Sequence, residues 1–210
     1  MKFKLLFLLS IFTITLQAAQ SRYILNTSGY LDPRAAIKIT QIGDEVKQKL
    51  GVNIYLDIKG NNGIDLELPM KERIKLMKQQ EKDLVKNLAK PYVLLALALD
   101  QQYTNILYSG IPKDAIDKDD ILNGYVIPLL AAKDKNTLQS KISAAVFNGY
   151  AQIADSLAEQ KGIKLISSIG SEGKIAGTIW RVFMYTMVLI GIIAYVIVIL
   201  REKKYKKGNK

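Results

Sequence analysis

Apolar residues recur every three or four positions across residues 33–50, which predicts an amphipathic helix. Asp32 followed by Pro33 has the order of an N-cap and a first helical residue, and Gly51 stands where a helix-ending glycine is expected. Residues 52–58 then alternate between apolar and polar side chains, which predicts a strand. The better buried face of that strand would carry Val52, Ile54, Leu56 and Ile58.

The middle of the chain combines a second amphipathic helix with two strands. The helix is predicted from Pro69 to about Lys90. Its apolar stripe consists of Met70, Ile74, Met77, Leu84, Val85 and Leu88. Residues 92–99 are apolar on both faces, which is typical of a central strand covered by helices on both sides. Residues 100–102 can turn the chain, and residues 103–108 are predicted to return as an antiparallel strand.

Two further helices complete the predicted domain. The first begins at residues 119–120 and is broken or kinked at Pro128, and the second begins at residues 136–137 and ends at Gly162. A strand–helix–strand unit implies that the first two strands are parallel. The element order therefore predicts an α/β fold, in which a small mixed β-sheet has helices on both faces.

The two ends of the chain predict export and a membrane anchor. Residues 1–18 have the cationic start, apolar middle and small residue of a signal peptide, the alternative being an anchor that is not removed. Residues 182–200 are predominantly apolar and long enough for a helix to cross a bilayer. We expect a transmembrane helix over residues 179–200 and a flexible, glycine- and serine-rich stem over residues 162–178. The basic segment 201–210 would stay in the cytoplasm.

This arrangement predicts a single-pass protein of the bacterial inner membrane with residues 21–161 in the periplasm. Two cations of the signal peptide and the six cations and one anion of residues 201–210 account for most of the net charge of +11. We therefore expect no nucleic-acid partner. The anchor would contact the lipid bilayer, and the periplasmic domain would meet a membrane-protein partner.

The sequence contains no cysteine and no histidine. Disulfides, Ser-His-Asp triads, cysteine nucleophiles and zinc sites with imidazole ligands are therefore excluded. Carboxylates, hydroxyls, amines and backbone groups remain as the available chemistry.

Four aspartates in the segment after the return strand are candidate ligands for calcium or magnesium, since hard cations bind clusters of oxygen atoms. They are Asp114, Asp117, Asp119 and Asp120. We expect them near the turn that ends the central strand, with Ser109 and Asp100 close by. The alternative is that they cap a helix and add solubility, because the spacing does not match an EF-hand.

A lysine stripe runs along the second helix on a face separate from the apolar stripe. It consists of Lys71, Lys75, Lys78, Lys82 and Lys86. The stripe is either a docking surface for lipid phosphates or an acidic partner, or simply a solvated helix face.

Taken together, residues 24–157 resemble the TPM domain, a family of exported domains. The likeness is carried by the opening turn at 25–32, the helix-to-strand step at 49–56, the apolar strand and return strand at 94–110, and the late helix with an internal proline at 121–130. The family usually has a glycine-rich approach to the apolar strand, where this chain has residues 87–91.

The resemblance implies an α/β sandwich and two kinds of function. Some relatives are accessory factors that help membrane complexes to assemble or turn over, and others are metal-binding phosphatases. We expect a non-enzymatic accessory or assembly factor, with a calcium- or magnesium-dependent phosphatase of low activity as the alternative. In the second case the aspartates would hold the metal.

Overall fold

The computed structural model describes residues 21–168 and 185–187. The predicted signal peptide, the basic tail and most of the predicted span lie outside the described residues. Residues 185–187 are helical and exposed. Within the described part of the chain, no helix combines the length and apolar character needed to cross a membrane.

The domain is built on a four-stranded sheet with the order β1-β2-β3-β4. Its strands are β1 (Ile24–Asn26), β2 (Asn53–Lys59), β3 (Tyr92–Ala98) and β4 (Tyr103–Ser109). The first three strands are parallel, and β4 pairs antiparallel with β3. The predicted mixed sheet is therefore confirmed, with β1 as an additional edge strand that the sequence did not indicate.

The helices are α1 (Pro33–Leu50), α2 (Met70–Val85), α3 (Lys118–Ile121), a π-helix (Leu122–Val126), α4 (Ile127–Leu130) and α5 (Leu138–Gln160). Helix α1 has the predicted bounds because both of its ends are specified locally. The Asp32 side chain accepts a hydrogen bond from the Arg34 backbone N–H at 2.8 Å, and Gly51 ends the helix at a φ of 74°. A left-handed conformation of this kind favours glycine.

Helices cover both faces of the sheet, as predicted. Helices α1 and α5 pack over the main core, which includes Ile54 and Leu95 of the central strands. Helix α2 lies over the opposite face, where its Leu84 and the following Leu88 pack on a cluster around Leu94. Both faces of β2 and β3 are consequently buried.

Helix α2 differs from its prediction at both ends. It ends at Val85 rather than near Lys90, because the chain must leave the helix to enter β3 at Tyr92. Met70 begins the helix but is 67% exposed, so it does not belong to the buried stripe. Glu81, in contrast, occupies a buried position on that stripe.

The predicted helix around Pro128 is a run of three short helical pieces. Asp117 caps α3, the π-helix follows, and Pro128 lies in the first turn of α4. Pro128 follows directly on the π-helix, so its missing N–H and its ring fall where the α-helical hydrogen-bond pattern is already interrupted. Thr137 is the N-cap of α5, and its side chain accepts a hydrogen bond from the Ser140 N–H.

Residues 163–168, the start of the predicted stem, are packed onto the domain. Leu165 is buried in the main core. The Glu45 carboxylate of α1 accepts hydrogen bonds from the backbone N–H groups of Ile166 and Ser167 at 2.8 and 2.7 Å, and a further one from the Ser167 hydroxyl. The compact unit thus extends to Ser168, beyond the predicted domain end at residue 161. The remainder of the stem lies outside the described residues.

Candidate functional site

Asp100 and Ser109, which the sequence predicted to be close together, lie at opposite ends of the paired strands β3 and β4. Ser109 pairs with Tyr92 at the beginning of β3, whereas Asp100 follows the end of β3. A seven-residue strand is about 20 Å long. The segment containing the four candidate aspartates therefore leaves the sheet at the end opposite Asp100. The expectation that Ser109 lies close to Asp100 is wrong, because an antiparallel return strand carries the chain back to where β3 began.

The four aspartates are all exposed. Asp117 has a structural contact, since its side chain accepts a hydrogen bond from the Asp120 backbone N–H at 3.0 Å. Across residues 21–168, no three or more acidic side chains are gathered closely enough to hold a metal ion. Calcium or magnesium binding by Asp114, Asp117, Asp119 and Asp120 stays a prediction, and Asp117 already acts as a helix cap.

A concave surface, here called the strand-end groove, lies where the carboxyl end of β3 meets α4 and α5. Its volume is about 600 Å³, within the range of ligand-binding clefts. Its walls include Tyr30, Leu97, Leu99, Tyr103, Ile127, Leu130, Leu138 and Ile142. Leu138 is 56% exposed and Ile127 is also exposed, so the groove presents apolar side chains to solvent.

Polar side chains also contribute to the wall of this groove. Asp100 and Gln102 lie in the turn between β3 and β4 and line the groove. The Asp100 carboxylate accepts a hydrogen bond from Asn61 Nδ2 at 2.8 Å, which ties the turn to the loop after β2. The groove is therefore a mainly apolar cleft that carries one carboxylate, a composition typical of ligand- or partner-binding sites.

A second polar cluster lies between α2 and the sheet and centres on Glu81, which is 7% exposed. Its Oε2 accepts hydrogen bonds from Asn105 Nδ2 at 2.9 Å and from the Tyr103 hydroxyl at 3.1 Å. Burial raises the pKa of Glu81, while these hydrogen bonds and the more distant Lys118 and Lys78 oppose that rise. The net effect is a pKa above the ordinary value, so Glu81 holds a proton more tightly than a solvent-exposed glutamate.

Asp57 of β2 borders the same small cavity as Glu81. It is 4% exposed, and its Oδ2 lies 3.6 Å from Lys59 Nζ. Burial raises the pKa of Asp57, and the Lys59 ammonium partly opposes the rise. The cavity has a volume of about 30 Å³, which is enough for one or two waters but not for a substrate. Asp57 and Glu81, here called the buried acid pair, thus share a cavity that is too small for an organic ligand.

Tyr103 lines both the strand-end groove and the cavity of the buried acid pair. The same side chain therefore contacts Glu81 and forms part of the groove wall. Burial followed by the neighbouring Glu81 charge raises the pKa of the Tyr103 hydroxyl, which stays protonated and donates to the carboxylate.

Sequence reasoning missed the buried acid pair, although a signal for it was present. Glu81 falls at helical spacing between Met77 and Leu84, in the middle of the apolar stripe. Asp57 lies among strand residues whose two faces are both covered. A charged residue at a position that the periodicity assigns to the core is the feature that identifies such a site.

Comparisons with known proteins give little further information. No family model matches the chain, and no curated protein matches it either. One solved structure, the solution NMR structure of the N-terminal domain of a protein from P. gingivalis, is weakly similar. It has a TM-score of 0.49 and 16% sequence identity, and the match covers 68% of this chain and 86% of that chain.

Proposed function

We propose that this chain is a membrane-anchored accessory protein of TPM type, without enzymatic activity, that binds a membrane-protein partner through the strand-end groove. Residues 179–200 would anchor it in the bacterial inner membrane, and the folded domain would face the periplasm after removal of residues 1–18. The observation that carries the proposal is the exposed apolar wall of the groove.

The groove supports partner binding for three reasons. Its volume of about 600 Å³ suits several side chains of a partner segment. Ile127 and Leu138 project apolar surface that water solvates poorly, and burial of such surface is the main driving force of association. Asp100, which also lines the groove, supplies one anionic contact that can fix the orientation of the partner.

The experiment is affinity capture of the full-length protein from detergent-solubilised membranes. The test variant carries Ile127→Glu and Leu138→Glu. Both side chains are already exposed, so the substitutions should leave the fold intact while placing charge on the groove wall. The matched control is Ile37→Glu, because Ile37 is an exposed apolar residue of α1 outside the groove.

We expect a defined membrane protein to be recovered with the wild type and the Ile37 control, and its yield to fall at least tenfold with the groove variant. That loss corresponds to ~1.4 kcal/mol of binding free energy. Equal recovery with all three proteins would show that the partner binds elsewhere. Recovery of the protein without any partner would contradict the proposed accessory function.

A further inference from the structure

The lysine stripe forms a continuous cationic face on α2. At 100° per residue, the five lysines from Lys71 to Lys86 fall within an arc of ~80°. They extend over ~22 Å of helix, because each residue rises 1.5 Å. All five are exposed, and none faces the sheet. The stripe is therefore a straight, accessible row of positive charge.

Acidic side chains do little to neutralise this row. Among the described residues, only Lys86 of the five forms an ion pair, with Asp83 at 2.7 Å. The nearby Glu81 is directed into the protein and held by Tyr103 and Asn105. The charge of Lys71, Lys75, Lys78 and Lys82 is consequently available to an external anion.

Exposed apolar side chains lie at the start of the same helix. Met70 immediately precedes Lys71 and is 67% exposed, and Leu66 in the preceding loop is also exposed. On the helix surface Met70 lies ~80–160° from the lysines and so flanks the stripe rather than belonging to it. A lysine-rich face flanked by exposed apolar side chains is typical of helices that lie at a membrane interface. An acidic protein surface would satisfy the lysines but would leave these two apolar groups without a matching environment.

We infer that the lysine stripe docks α2 on the anionic headgroups of a phospholipid bilayer, with Met70 and Leu66 entering the boundary between headgroups and acyl chains. This inference rests on the proposed function in one respect, because a membrane anchor would hold the domain close to such a surface. Docking through α2 would fix which side of the domain faces the bilayer and which side is free to meet a partner.

The test uses the full-length protein reconstituted into vesicles of phosphatidylcholine alone or of phosphatidylcholine mixed with phosphatidylglycerol. The chain has no cysteine, so Gln79→Cys introduces a single site for a fluorophore beside the stripe. Energy transfer from this label to an acceptor lipid measures the approach of α2 to the bilayer. The test variant adds Lys71→Gln, Lys75→Gln and Lys82→Gln, and the control adds Lys38→Gln, Lys133→Gln and Lys135→Gln.

Each lysine near an anionic surface raises the docking equilibrium constant by a factor of about five. We expect strong energy transfer only with phosphatidylglycerol, a fall of about 100-fold in the docking equilibrium for the stripe variant, and a much smaller change for the control. High salt should weaken the effect, because screening shortens the reach of exposed charges. Glutamine preserves helix propensity, so loss of the fold is not expected.

Equal energy transfer in both lipids, or equal losses in the two triple variants, would overturn the inference. Loss of partner capture by the stripe variant without any dependence on phosphatidylglycerol would assign the stripe to an acidic protein instead. Failure of the wild type to incorporate into phosphatidylcholine vesicles would contradict the proposed anchor. In that case, co-sedimentation with phosphatidylglycerol vesicles still tests the stripe, and groove-dependent capture still tests the partner.

Discussion

Asn105 Nδ2 donates to Glu81 Oε2 at 2.9 Å and thereby joins the middle of β4 to α2. This contact lies on the sheet face that has the smaller apolar cluster. Helix α2 thus depends on a buried polar interaction as well as on Leu84 and Leu88. Buried polar groups are costly when they lose a partner, so the Glu81 site should be sensitive to substitution.

We expect Glu81→Ala to lower the free energy of unfolding by about 1–3 kcal/mol, because Asn105 and Tyr103 would both lose a buried acceptor. Glu81→Gln should cost less, since its amide oxygen can still accept from Asn105. Urea unfolding followed by circular dichroism measures both values. If Glu81→Ala and Glu81→Gln both lowered the free energy of unfolding only slightly and by the same amount, the hydrogen bonds would not contribute to holding α2.

Stability should rise as the pH falls from neutral through the folded-state pKa values of the buried acid pair. Burial raises the pKa values of Asp57 and Glu81 in the folded protein, so the native state binds protons more tightly than the unfolded chain. The free energy of unfolding therefore increases until the pH drops below their ordinary values of 3.8 and 4.5. Urea midpoints across this range measure the effect, and Glu81→Gln should flatten it. A wild-type midpoint that falls steadily from neutral pH would contradict the prediction.

Glu45 should have the opposite pH dependence. Burial alone would raise its pKa, but hydrogen bonds from Lys49, Ser167 and the backbone N–H of Ile166 outweigh it and lower the pKa to about 2. The stability that Glu45 contributes is therefore complete above pH 4.5 and is lost as the pH falls towards 2. Glu45→Ala should abolish the hydrogen-exchange protection of the Ile166 and Ser167 amides at neutral pH. Glu67→Ala, which removes an exposed carboxylate, should leave that protection unchanged.

Gly43 should not tolerate a methyl group. A Cβ atom built there would lie 2.6 Å from the Tyr150 hydroxyl oxygen and 2.6 Å from Tyr23 Cδ2. The Tyr150 hydroxyl is fixed by donating to the Ile54 carbonyl at 2.8 Å. We expect Gly43→Ala to cost about 1–3 kcal/mol in thermal or urea unfolding. Gly124→Ala is the matched control, because the nearest atom to a Cβ built there, Asp120 Oδ1, is 3.9 Å away. This substitution should leave the unfolding free energy unchanged or raise it.

Asp117→Ala should destabilise the domain by ~1 kcal/mol through loss of the α3 cap, with or without calcium. Asp114→Ala, at an exposed position, should change the unfolding free energy by less than ~0.5 kcal/mol. Thermal melting with calcium, magnesium or a chelator measures both. A rise in the melting temperature with metal that disappears in Asp114→Ala would instead support the predicted metal site, and phosphatase assays of the same proteins would test the enzymatic alternative.

Local signals determined how well each element could be predicted. Helix α1 was predicted to the residue because Asp32, Pro33 and Gly51 specify its ends independently of the rest of the chain. Strand β1 was missed because three residues carry too little periodicity, and the partner of Ile24, Leu56, lies 32 positions further along the chain. The π-helix was missed because sequence spacing does not distinguish it from an α-helix that is kinked at Pro128.

The site could be predicted only in part, for a different physical reason. Asp100 precedes the predicted return strand and Ser109 follows it, so their separation already follows from the antiparallel prediction. The strand-end groove, in contrast, depends on how the π-helix and α4 return over the sheet. Such positions result from tertiary packing, which no local pattern records.

The position of Tyr103 would link binding in the groove to the protonation of Glu81 if an occupant moved the Tyr103 hydroxyl. Its ring forms part of the groove, and its hydroxyl donates to Glu81. An occupant that turned this hydroxyl away would leave the carboxylate with one donor fewer, so Glu81 would bind its proton more tightly. By reciprocity, protonation of Glu81 would raise the affinity of the domain for that occupant by the same factor.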